Sequence, residues 1–237
     1  MRRKNYYLTL DTETCGDMGA PLVYDIGFVI HDKNGNIYER RSYVVREIFF
    51  GEWKLMRTAY YASKIPQYRI GIKEGVWNVA SFWAIRKEIF DLMREYRVKA
   101  VIAYNAGFDT RALSSTLNHL SKFDEKQTFF SEKTTVWCSW NMACQTILMQ
   151  KTFFKMAYKN EWVSECGNVK TSAEVAFRYI NRNVDFEEAH TALEDALIET
   201  VIFARCLATH KKMNREIQPM PWQIPQSEFK AYCDSLQ

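Results

Sequence analysis

The chain has 237 residues, 47% of them apolar and 25% charged, which suits one globular domain with a sizeable core, and no apolar run approaches the roughly 18 residues of a membrane span. Lys and Arg exceed Asp and Glu by 32 to 28, an imbalance that permits an anionic partner without indicating one. The basic start MRRKNYYLTL lacks the apolar stretch of a secretory signal, and the cysteines at 15, 138, 144, 166, 206 and 233 show neither CxxC spacing nor a dense framework, so export, zinc and a disulfide scaffold are disfavoured and a cytoplasmic protein with free thiols is expected.

Alternation of apolar residues predicts strands over 6–13, 22–32 and 36–45, an antiparallel meander whose second link, Asp32-Lys33-Asn34-Gly35, is a hairpin signal because Asn-Gly supplies positive φ angles. The next segment, 46–76, is rich in rings and bases (Phe49, Phe50, Trp53, Lys54, Arg57, Tyr60, Tyr61, Lys64, Tyr68, Arg69) without one clean period. It reads as a cover packed over the sheet, although rings beside cations also suit a single nucleic-acid strand. Beyond residue 76, Val79, Phe82, Trp83, Ile89, Phe90, Met93 and Tyr96 recur at helical spacing, followed by a buried strand, VKAVIAYN, at 98–105. Further helices are predicted in FDTRALSSTLNHL, SWNMACQTILMQ, SAEVAFRYI and TALEDALIETVIFARCLATH. On the last of these, Leu193, Ala196, Leu197, Val201, Ala204 and Ala208 form the expected apolar stripe, leaving Asp195 off it. Residues 210–237, with three prolines among polar residues, read as an extended arm after a domain spanning 1–209. Strands followed by alternating helix and strand imply an α/β fold, a mixed sheet with helices on both faces.

Asp11 and Glu13, two apart at the end of the first strand, face the same side and can approach one metal centre. Hard divalent cations take oxygen ligands, and Mg²⁺ commonly takes few carboxylates while keeping waters. Asp109 follows the strand VIAYN at the opening of a helix, at the end of a strand where open α/β sheets place ligands. His190 precedes Asp195 by five residues near the start of the last long helix. Singly, each of these is more often a cap, a solvated side chain or a strand edge.

Together, DxE on the first strand, N-x-x-x-D (Asn105 to Asp109) after the fourth and H-x-A-x-x-D (His190 to Asp195) opening a late helix resemble the three motifs of the DnaQ-like DEDDh 3′-to-5′ exonuclease family. The likeness runs from about Asp11 to about Leu207. It implies an RNase H-like fold with a five-stranded mixed sheet, two divalent metal ions (Mg²⁺ or Mn²⁺) on Asp11, Glu13, Asp109 and Asp195, and His190 as general base. Thr191 stands where a related branch has tyrosine, which favours the histidine branch. The resemblance also implies contacts to the substrate from Thr12, Thr14, Cys15, Asn105 and Phe108, with partners that are single-stranded DNA or RNA 3′ ends. Two positions depart from the family pattern: Cys15 replaces a common Thr and lacks its strong donor, and Tyr104 replaces a frequent His. None of the five chemical positions is missing, which argues against an inactive nucleic-acid-binding or polymerase-associated copy, and the histidine element disfavours an RNase H-like endonuclease. Homodimerisation and polymerase association, both known in the family, are left undecided by the sequence.

Overall fold

The computed structural model describes residues 4–121 and 126–236; the basic tip Met1 to Arg3 and the last residue of the expected arm, Gln237, lie outside them. Strands β1 (Tyr6–Cys15), β2 (Leu22–Asp32) and β3 (Ile37–Val45) form the antiparallel meander, with β4 (Asn78–Ala80), β5 (Val101–Ala103) and β6 (Val136–Cys138) completing a sheet of order β4-β3-β2-β1-β5-β6. β5 runs parallel to β1 and β6 parallel to β5, while β4 pairs in parallel with β3. The sheet therefore has six strands where five are expected. The extra one, β4, takes Val79 away from the helix predicted there, and Ser81 then starts that helix by accepting a hydrogen bond from the Ala84 N–H at 3.2 Å.

The helices are α1 (Arg46–Phe49), α2 (Trp53–Met56), α3 (Ile65–Lys73), α4 (Phe82–Glu95), α5 (Ala106–Leu120), α6 (Ser139–Gln145), α7 (Lys151–Lys159), α8 (Ala173–Asn181), α9 (Ala192–Ala208) and α10 (Gln226–Asp234). Side chains alternate across a strand, so β1 divides its residues between two cores. Leu8 and Leu10, with Ile26, Phe28 and Ile30 of β2, pack against Phe82, Ile85 and Ile89 of α4 and Leu113 and Leu117 of α5. On the other face Tyr7 packs with Met142, Phe153, Val175, Ile202 and Phe203. Thr9, Asp11 and Glu13 follow Tyr7 onto that second face by the same alternation.

The second face belongs to α9, whose buried side corrects the expected stripe. Ala192, Ala196, Glu199, Ile202, Phe203 and Cys206 are buried, whereas Val201 is exposed. Asp195 lies on the inward side, one turn before Glu199. Helix and sheet approach so closely that a Cβ on Gly27 of β2 would lie 2.0 Å from the Leu193 nitrogen and 2.1 Å from the Ala192 carbonyl carbon. Only glycine leaves room for that crossing.

Elsewhere three expectations change in detail. In the β2–β3 turn Gly35 alone takes positive φ (82°), and the Asp32 carboxylate closes the turn by accepting from the Asn34 and Asn36 N–H groups at 2.9 and 3.1 Å. The segment 46–76 is mostly helical and inserts Ile48, Phe49, Met56 and Tyr68 into the first core. After residue 210 the chain is not extended throughout, since α10 docks Phe229 against Phe154, ring centroids 5.7 Å apart, in the second core. No helix among the described residues is long and apolar enough to cross a membrane.

Candidate active site

The register of β1 against β2 sets Asp11 opposite Gly27 and Glu13 opposite Asp25. Because Gly27 lets the first turn of α9 onto the sheet, Asp195 meets the two strand acids, and one carboxylate oxygen from each of Asp11, Glu13 and Asp195 lies within 4.8 Å of the others. Asp109 approaches from the first turn of α5, whose preceding residue, Asn105, holds a left-handed φ of 76°. Its Oδ1 accepts from the Thr12 hydroxyl at 2.9 Å. Thr12, expected at the substrate, is buried and occupied with Asp109. Cys15 is also buried, and burial pushes its thiol up to about 11, which keeps it neutral. Asn105 is exposed, while Thr14 and Phe108 are half-buried, Phe108 under the Arg111 guanidinium at 5.5 Å from its ring centroid.

Carboxylates packed this way raise one another's affinity for protons. Burial, then the charge of Asp195, pushes Glu13 up to about 9. Burial likewise lifts Asp11 well above the carboxylate range, helped by Glu199, Asp109 and Asp195, and raises Asp195 and Asp109. Asp195 Oδ1 is buried with no hydrogen-bond partner among the described residues. An all-oxygen donor set, an orphaned carboxylate oxygen and acids crowded enough to raise one another's proton affinity fit a hard divalent cation such as Mg²⁺.

Two buried acids escaped the sequence reading. Glu199 sits a turn beyond Asp195, 3% exposed, with Oε2 unpartnered among the described residues, and burial followed by Asp109 holds its carboxyl well above the ordinary range. Its spacing of four from Asp195 is the available signal, hidden by assigning the apolar stripe to the wrong side of the helix. Asp25, fully buried, accepts through Oδ2 from the Tyr68 hydroxyl at 2.6 Å and from the Ala192 N–H at 3.1 Å, tying β2, α3 and the start of α9 together. Burial raises it to about 6.

His190 lies in the turn before α9 with a left-handed φ of 49°. Its imidazole stacks on Tyr61, and burial followed by the Lys64 charge lowers its pKa below the usual histidine range. Beside the carboxyl end of β1 a cavity of about 520 Å³ is walled by Gly16, Leu55, Arg111, Ser114, His119 and Lys126.

No protein-family model and no curated protein sequence matches the chain. Among solved structures it is similar to E. coli exonuclease I. The zinc-bound complex of that enzyme with single-stranded DNA aligns with a TM-score of 0.53 and 12% identity over 88% of this chain and 41% of the other. The complex with a dA16 oligonucleotide gives 0.53 and 12% over 93% and 42%, and the complex with dT13 gives 0.53 and 10% over 87% and 42%. The chain thus spans less than half the length of these structures, and the likeness establishes the RNase H-like α/β fold.

Proposed function

We propose that the protein is a metal-dependent 3′-to-5′ exonuclease of the DEDDh type, which shortens single-stranded nucleic acid and releases nucleoside 5′-monophosphates. The observation that carries this reading is the convergence of Asp11, Glu13 and Asp195 within 4.8 Å; Asp109 lies outside that trio, on the first turn of α5, where its charge is felt by Asp11, and His190 lies in the turn before α9. The single-stranded DNA bound in the exonuclease I structures of like fold supports the choice of substrate.

Asp11, Glu13, Asp109 and Asp195 would hold the cations, and Glu13 and Asp195, whose proton affinity burial raises, would have to ionise to do so. Two bound divalent ions would supply a nucleophilic water at neutral pH and neutralise charge on the attacking and departing oxygens. His190, neutral at physiological pH, takes one proton from the attacking water. The water oxygen bonds to phosphorus, the bond to the 3′ oxygen breaks, and that oxygen leaves with a proton from solvent. Arg111 and Lys126, which share the cavity beside β1 with Ser114, Ser115 and Asp17, would offer cations to the strand's phosphates.

The test uses 5′-labelled single-stranded DNA and RNA oligonucleotides with Mg²⁺, Mn²⁺ or EDTA. A metal-dependent ladder shortening from the 3′ end, absent in Asp11→Ala, is the expected outcome and reveals the preferred sugar. Internal fragments would replace the reading by an endonuclease, and uncut strands that are still bound would replace it by a binding module.

A further inference from the structure

The aromatic and basic segment 46–76 does more than cover the sheet. At its centre, just before the short 3₁₀ turn Ala62–Lys64, Tyr61 lays its ring on the imidazole of His190, with centroids 4.4 Å apart and planes inclined by 16°. The Tyr61 hydroxyl lies 3.0 Å from His190 Nδ1. Three residues on, the Lys64 ammonium donates to the carbonyl of Ala189 and, at 3.4 Å, to that of His190. These contacts bear on a backbone that needs them. A histidine at φ 49° occupies a conformation that non-glycine residues keep only when their surroundings impose it. The other group near Nδ1, the Glu188 carboxylate, is 3.8 Å away, beyond hydrogen-bond distance.

We propose that Tyr61 is the positioning residue for His190, with Lys64 bracing the turn that carries it. In neutral imidazole one nitrogen holds the proton and the other the free lone pair. The Tyr61 oxygen reaches Nδ1 from the face of the imidazole, so the contact holds the ring in place without choosing its tautomer. Ring stacking fixes the plane in which that lone pair points. Tyr61 stays a neutral phenol, because burial and then the charge of Glu13 raise its pKa. This assignment rests on the exonuclease reading for its consequence, but the positioning itself is a property of the protein without substrate.

The experiment therefore has two arms. In the first, kcat and KM are measured on a single-stranded oligonucleotide for wild type, Tyr61→Phe, Tyr61→Ala, His190→Ala and the double variant Tyr61→Ala/His190→Ala. Tyr61→Phe, which keeps the stack and loses the hydroxyl, is expected to lower kcat several-fold with KM unchanged, and Tyr61→Ala to lower it further. In the double variant the Tyr61 change should add nothing to the loss from His190→Ala, as residues acting as a unit are non-additive. An equal loss in both backgrounds, or none in either, overturns the proposal. In the second arm, ¹H–¹³C correlation at pH 8 reads the ring protons of His190, assigned by their disappearance in His190→Gln. The ring current of Tyr61 is expected to hold them upfield of free imidazole in wild type and in Tyr61→Phe, and to be lost in Tyr61→Ala. Free-imidazole positions already in wild type, or no change in Tyr61→Ala, contradict the positioning role even if the protein hydrolyses nothing, so failure of the exonuclease reading and failure of this one give different results.

Discussion

Asp11 and Glu13 sit on a strand hydrogen-bonded to β2 on one side and, at Leu8 and Thr9, to β5 on the other, and Asp195 sits on a 17-residue helix crossing that strand. His190, by contrast, sits on an irregular turn with left-handed backbone and is braced by Tyr61 from 129 residues earlier in the chain. Like charges must be held together against their repulsion, and ladder and helix provide that rigidity. Under the exonuclease reading His190 needs orientation instead, and a ring stack with the Tyr61 hydroxyl beside Nδ1 provides it at a single side chain.

The most direct way to break the carboxylate half without touching a carboxylate is Gly27→Ala. A methyl 2.0 Å from the Leu193 backbone forces α9 off the sheet and carries Asp195 away from Asp11 and Glu13. Turnover should fall to background, with a stability loss of at least about 1–3 kcal/mol as for overpacked cores, read by urea denaturation. Preserved turnover would mean that α9 does not depend on this close approach.

The histidine half is tested separately by His190→Ala. Turnover should fall by roughly 10²–10⁴ while divalent-ion binding persists, because His190 is outside the carboxylate cluster. Loss of metal binding in this variant would erase the distinction between the two halves.

How much of this contrast the sequence reveals follows the same division. Strand alternation and the spacing of Asp11, Glu13, Asp109, His190 and Asp195 are local patterns, so the motifs and the meander are legible. The contacts of Tyr61, Lys64 and Asp25 join distant segments, and no period in 46–76 announces them. Glu199 was missed for a different reason: α9 is apolar on both sides, so a stripe through Val201 looks as good as the true one through Ile202 and Phe203. The short strands β4 and β6, three residues each, are too brief for alternation to register.

Ion linkage sharpens the electrostatic side of the comparison. Glu13 is raised to about 9 from 4.5 in the folded chain, with Asp195 raised as well. A carboxyl whose folded pKa is raised contributes stability at low pH that is lost as pH climbs from the unfolded value toward the folded one. A bound cation removes that loss, so Mn²⁺ should raise the melting temperature more at pH 8 than at pH 5. At 100 times its dissociation constant the ion would add about 2.7 kcal/mol. A pH-independent increment, or one that survives Asp11→Asn, would contradict the assignment of these acids.

The smallest expected effect lies outside both halves. Arg111→Ala should raise KM a few-fold with kcat little changed, and lower the slope of log affinity against log salt by about 1 if the guanidinium meets one phosphate. An unchanged slope would remove the cavity beside β1 from the path of the strand.

The central claim, that carboxylates from β1 and α9 form one cation site, is tested most directly by titrating Mn²⁺ calorimetrically into the wild-type protein and into Asp195→Asn at pH 7.5, with circular dichroism to verify folding. Saturable binding to the wild type, lost or strongly weakened in folded Asp195→Asn, is the result this account requires. Absence of saturable binding to the wild type, or equal binding to both proteins, would contradict it.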